Sequence, residues 1–95
     1  MKRVFDRHES IVAKSPPHAM LAIGRVRAFG IKKYPADHWA TLPVNTHLNS
    51  ALRHVFRFMA GELADPESGE HPLAHAALRL MMALDILVAK GGKKR

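Results

Sequence analysis

Arg53-His54-Val55-Phe56-Arg57-Phe58-Met59-Ala60-Gly61-Glu62-Leu63-Ala64-Asp65-Pro66-Glu67-Ser68-Gly69-Glu70-His71-Pro72-Leu73-Ala74-His75 is the stretch that decides the fold. Apolar residues recur at Leu48, Leu52, Val55, Phe56, Met59 and Leu63, the i, i+3/i+4 spacing of one helix face. This predicts a helix over 46–64, capped by Asn45 or Thr46. Asp65 to Glu70, with its proline, serine and glycine, reads as a turn. Pro72 suits the first turn of a further helix over 71–90, with a stripe of Leu73, Ala76, Leu80, Leu84, Leu87 and Val88. Met81 and Met82 widen that stripe, and Gly91-Gly92 should end the helix. Two helices joined by so short a turn pair as a hairpin.

Upstream, Met20, Leu21, Ile23, Val26 and Phe29 predict a first helix over 18–30, with Gly30 as its stop. Gly24 inside it weakens the helix or admits another backbone. Ser15-Pro16-Pro17 breaks regular structure, so 1–17 is expected to be a flexible segment. Residues 31–44 hold Pro35, Pro43 and the only Tyr and Trp of the chain, Tyr34 and Trp39, and read as an ordered, irregular connection. No strand-like alternation of any length occurs. The expected fold class is all-α: a small helical bundle of about three helices, with one domain over 18–90 and a basic tail at 91–95. Ninety-five residues bury a modest fraction of their surface. Phe56, Met59, Met81, Met82 and Leu84 are more apolar surface than three helices cover. A homo-oligomer that completes the core is therefore expected.

Fifteen Lys and Arg against eight Asp and Glu give a formal net charge of +7. This favours anionic partners such as nucleotides or nucleic acid. Nucleic acid is the less favoured of these, since no helix carries a continuous basic face and no groove-reading motif is visible. The chain has no cysteine, which excludes disulfides, zinc fingers and thiol catalysis. Met1 to Lys14 lacks the apolar core of a signal peptide, and no apolar run approaches about 20 residues. A cytoplasmic protein with no membrane partner is the expectation.

On a continuous helix Glu62 and Asp65 lie one turn apart, where two carboxylates can share Mg²⁺ or Mn²⁺. His71 and His75, at i and i+4, open the next helix and point the same way. The hairpin would bring all four to one end as a metal site, with His54 beside the carboxylates. Arg53 and Arg57 add guanidinium forks for phosphate. Lys32-Lys33-Tyr34, with Trp39 beyond, combines cations with rings on which a base stacks. Each feature has a plain structural alternative: a polar helix end, a helix-start histidine, a buried histidine, an exposed basic face, aromatic cover for the core. Asp85, in an apolar helix, is expected to pair with an arginine or histidine.

Phe29-Gly30-Ile31-Lys32-Lys33-Tyr34 … Trp39, then Leu52-Arg53-His54, Gly61-Glu62 … Asp65-Pro66-Glu67-Ser68-Gly69 and His71 … His75-Ala76 together resemble the phage and prophage dATP/dGTP diphosphohydrolase N-terminal domain family. In that family a "GxKKY…W" block precedes an "RH…GE…D.ESG..H..HA" block. The family's segment before the first helix survives here only as Lys14 and Pro16-Pro17. A second carboxylate pair, as in the MazG-like all-helical nucleotide pyrophosphohydrolases, is replaced by His71, His75 and the distant Asp85.

The resemblance implies a divalent-metal-dependent nucleoside triphosphate pyrophosphohydrolase acting on purine deoxynucleotides, in the host cytoplasm if phage-encoded. It implies roles for Glu62, Asp65 and His54 in catalysis. Lys33, Tyr34, Trp39 and Arg53 would bind the nucleotide. Glu62, Asp65, His71 and His75 would hold Mg²⁺ or Mn²⁺, and Glu67 also matches the motif. The alternatives are a nucleotide-binding sponge or regulator without turnover, and a nucleic-acid-binding accessory protein.

Overall fold

A computed structural model describes residues 14–93. Three helices follow one another: α1 (Pro17–Lys33), α2 (Val44–Met59) and α3 (Pro72–Lys93), with one 3-10 turn at His38–Thr41 between α1 and α2. There is no strand among the described residues, and the chain is an all-α bundle. The central helix is α3, packed along α2 and against α1. Residues 1–13, most of the expected flexible segment, and Lys94-Arg95 of the expected basic tail lie outside the described residues.

Helix boundaries differ from the sequence expectation in instructive ways. α1 begins at Pro17 and runs three residues past Gly30. Gly30 is no stop, and Gly24 meets no other backbone: a Cβ at either would find nothing within 4 Å. α2 begins at Val44 behind Pro43, with no side-chain cap from Asn45 or Thr46. It also ends five residues early. The Gly61 N–H bonds to Phe58 O and the Glu62 N–H to Arg57 O, while Gly61 takes φ 108°. This pair of bonds around a left-handed glycine is the Schellman stop. Glu62 and Asp65 therefore follow the helix rather than sharing its surface. α3 runs through Gly91 and Gly92 to Lys93; a glycine there costs about 1 kcal/mol but does not forbid the helix.

The larger difference is which face of α2 is buried. The apolar stripe looks outward: Leu52, Phe56, Met59 and Leu63 are 53%, 62%, 73% and 72% exposed. The buried face is His47, Ser50, Ala51 and His54. These residues are also spaced i, i+3/i+4, so α2 has two periodic faces and the polar one turns inward. α3 repeats the pattern, burying Ala74, Ala76 and Ala83 while Leu73, Leu80, Leu84, Leu87 and Val88 stay exposed. By length and composition alone Pro72–Gly91, with mean hydropathy 1.5, could cross a membrane. Its polar residues His75 and Arg79 instead face the interior of the bundle.

Candidate functional site

The turn between α2 and α3 is organised by Asp65. Its Oδ2 accepts the backbone N–H groups of Glu67 and Ser68, both at 3.0 Å. Its carbonyl accepts the Gly69 N–H at 2.8 Å, and its own N–H bonds Glu70 O at 2.7 Å. Gly69 supplies the left-handed backbone, φ 77°, that closes the turn. Burial alone would raise the Asp65 pKa, but the N–H groups of Ser68 and Glu67 and the neighbouring imidazoles hold it below the usual carboxylate value. Two ion pairs tie the turn to α1: Lys33 Nζ to Glu67 at 2.8 Å and Arg25 Nε to Glu70 at 2.9 Å. Both are exposed and each contributes little.

Four side chains, Asp65 and Ser68 of the turn, His54 of α2 and His75 of α3, meet beneath it. Ser68 Oγ accepts the Glu70 N–H at 3.1 Å and shares a hydrogen bond with His75 Nε2 at 2.6 Å. His75 Nε2 lies 4.0 Å from Asp65 Oδ2. The His54 ring stacks on the His75 ring with centroids 4.6 Å apart. Burial pushes the His54 pKa down to about 4, helped by the charges of His75 and Arg53. Burial also lowers that of His75. Both rings are neutral near pH 7.

Glu62 and His71 go elsewhere. His71 caps α3: its Nδ1 accepts the Leu73 N–H at 3.0 Å, and its ring leans on Phe58 at 5.1 Å. As a helix cap it stands outside the helical i, i+4 pairing with His75. Glu62 Oε1 is buried without a hydrogen-bond partner, yet no second and third ligand stand beside it. Among the described residues no three His, Asp or Glu side chains are grouped to hold a metal ion. The four-residue set Glu62, Asp65, His71 and His75 does not fit an ion in this arrangement. The early end of α2 is the cause. Asp85 is exposed and makes no ion pair within 4.0 Å among the described residues.

Asp65, His54 and His75 instead line a bowl of about 810 Å³, built from α1, the connection, α2, the turn and α3. That volume is in the ordinary range for ligand clefts, ~300–1,000 Å³. Lys33, Tyr34, Trp39 and Arg53, expected to bind the nucleotide, all line it. Tyr34 is exposed and stacks on His38 at 5.1 Å. Trp39 is half-buried, and its carbonyl accepts the His47 Nε2–H at 2.9 Å. That bond leaves His47 Nδ1, in a fully buried ring, as an unpartnered acceptor.

Five cations line the bowl, Arg27, Lys33, Arg53, Arg57 and Arg79, against two carboxylates, Asp65 and Glu67. Arg79 and His47 are not among the residues the sequence singles out, because their helices are read there for the apolar stripe. Counting the second periodic face of α2, and the α3 residues opposite it, would have found both.

The turn Asp65-Pro66-Glu67-Ser68-Gly69 thus overhangs a concave site with an excess of cations. The family described as dATP/dGTP diphosphohydrolase, N-terminal, matches residues 5–95. The chain belongs to this family. It is 31% identical over 83 residues to a dATP/dGTP diphosphohydrolase of Salmonella phage PMBT28, a match covering 87% of this chain and 29% of that protein. The chain thus spans under a third of the curated relative it matches. No solved structure matches it. The motif residues of the diphosphohydrolase N-terminal family divide here into two sets. Lys33, Tyr34, Trp39, Arg53, His54, Asp65, Glu67 and His75 line the bowl. Glu62 and His71 support the hairpin beside it.

Proposed function

We propose that this chain binds a purine deoxynucleoside triphosphate in the bowl and takes part in its hydrolysis to the monophosphate and pyrophosphate. The observation that carries the reading is the bowl's charge: five cations to two carboxylates in a cleft of nucleotide size. Triphosphate chemistry asks mainly for positioning and charge stabilisation. The guanidinium groups would draw in the phosphates. Tyr34 and Trp39, at the other elements of the rim, offer rings for the base. In the reaction water attacks the α-phosphorus, the bond to the bridging oxygen breaks, and pyrophosphate leaves. The imidazoles of His54 and His75 and the Asp65 carboxylate, grouped beneath the turn, are the bases this reading assigns to take the water's proton. Mg²⁺ or Mn²⁺ enters this reading as the counter-ion of the triphosphate itself.

A second reading, nucleotide binding without turnover, is favoured by the scattered placement of Glu62, Asp65, His71 and His75. The test is incubation of the protein with dATP, dGTP and the other nucleoside triphosphates, each with Mg²⁺, Mn²⁺ or chelator, followed by anion-exchange separation. Release of pyrophosphate from dATP or dGTP supports hydrolysis. Binding with no release at any metal condition transfers the function to the second reading.

A further inference from the structure

The five cations of the bowl are not equivalent. Lys33 is held by Glu67 at 2.8 Å. Arg57 Nη1 lies 3.8 Å from Asp65 Oδ1. Arg27 donates to the Ala36 carbonyl. Arg53 has only the Ser50 hydroxyl, at 3.3 Å, and Arg79 Nε is buried with no partner at all. Among the described residues neither Arg53 nor Arg79 has a carboxylate within 4.0 Å. They project from facing helices, α2 and α3, into the same bowl. A half-buried guanidinium with an empty Nε and a like charge for a neighbour is an unfavourable arrangement in the absence of an anion.

We propose, resting on the nucleotide reading of the bowl, that Arg53 and Arg79 form a two-guanidinium subsite for the polyphosphate chain of the ligand. Each guanidinium presents a planar fork matched to phosphate oxygens. Burial, and then the charge of Arg53, lowers the pKa of Arg79, so the cost of holding this charge is borne by the ligand-free protein. Charge matching selects the ligand class. A single phosphate monoester carries about −1.5 to −2 at pH 7. The bowl holds three more cations than carboxylates, so a chain of two or more phosphates suits it better than one.

The experiment uses inorganic tripolyphosphate as a probe that has the chain but no base, in chelator. Binding is measured by calorimetry and by emission of Trp39, the only tryptophan. Wild-type protein is expected to bind tripolyphosphate more tightly than orthophosphate, with affinity falling as salt rises. Arg79→Gln and Arg53→Gln should each weaken tripolyphosphate by about tenfold or more. Arg79→Lys, which keeps charge but loses the fork, should fall between. Arg25→Gln, outside the bowl, should leave binding unchanged. Ligand-free Arg79→Gln should melt at or above the wild-type temperature, because it relieves an uncompensated charge.

Unchanged tripolyphosphate affinity in Arg79→Gln would overturn the subsite. So would a melting temperature several degrees lower, which would mark Arg79 as structural. Wild-type protein that binds dATP but not tripolyphosphate overturns the subsite and leaves the nucleotide reading standing. Arginine-dependent binding of tripolyphosphate, with no gain from a purine deoxynucleoside, upholds the subsite and removes the nucleotide reading.

Discussion

The rings of His54 and His75 lie stacked, with centroids 4.6 Å apart and planes 20° from parallel. Two imidazoles so placed cannot comfortably both be charged, and burial lowers both pKa values, that of His54 to about 4. A group with a folded pKa below its unfolded one favours the unfolded state once protonated. Stability is therefore complete above about pH 6.5, the unfolded histidine value, and is lost as pH falls toward 4. Asp65, also lowered, adds a further loss below about pH 4. Melting temperature followed from pH 7 to pH 5, a range above the usual carboxylate values, should already fall by several degrees. His54→Phe, which keeps a ring on His75, should flatten that limb; an unchanged limb would contradict the assignment.

Asp65 joins the turn through two N–H bonds and stands in the bowl through its charge. The two roles separate by substitution. Asp65→Ala loses both acceptor bonds and is expected to destabilise the fold by about 2 kcal/mol. Asp65→Asn keeps one acceptor oxygen and should cost about half as much. If the carboxylate takes the water's proton, Asp65→Asn should nonetheless abolish turnover while nucleotide still binds. Denaturant melts and the pyrophosphate assay, run on the same two variants, read the roles separately.

Gly69 adopts φ 77°, and a Cβ there would meet nothing within 4 Å. Only backbone strain opposes a side chain. Gly69→Ala should therefore cost about 1 kcal/mol, in melts, without altering the shape of the bowl. A far larger loss would mean that the turn has packing partners beyond those described.

The exposed stripe of α2 makes a prediction about assembly. Leu52, Phe56, Met59 and Leu63 are all more than half exposed on one side of the hairpin, and each apolar side chain gains about 1.5–3 kcal/mol when covered. A second copy of the chain is the proposed cover. Light scattering should give a mass above the 10.6 kDa of one chain, and Phe56→Glu should lower it to one chain with helicity retained. A wild-type monomer at micromolar concentration would rule this out.

The same stripe explains what was legible in the sequence. Periodicity located three helices and the hairpin, because Leu48 to Leu63 and Leu73 to Val88 repeat at the helical spacing. It could not tell which face turns inward. His47, Ser50, Ala51 and His54 have the same period, and only the packing of α3 selects them. The site was half legible for a related reason. Lys33, Tyr34, Trp39, Arg53, His54, Asp65 and His75, singled out in the sequence, all line one bowl. Glu62 departs because α2 stops at Met59 rather than 64, and His71 because it caps α3 rather than lying within it. Gly61 carries the stop signal, since a glycine just past the last regular turn is how a helix commonly ends.

The most direct measurement of the central claim is a calorimetric titration of the wild-type protein with dATP and dGTP at two salt concentrations. The expected result is saturable binding of both, weakened by salt, quenching or shifting Trp39 emission in step, and reduced at least several-fold by Arg53→Gln. The contradicting result is no binding of either nucleotide, or binding that neither salt nor Arg53→Gln alters, since the cationic bowl would then not be where the nucleotide sits.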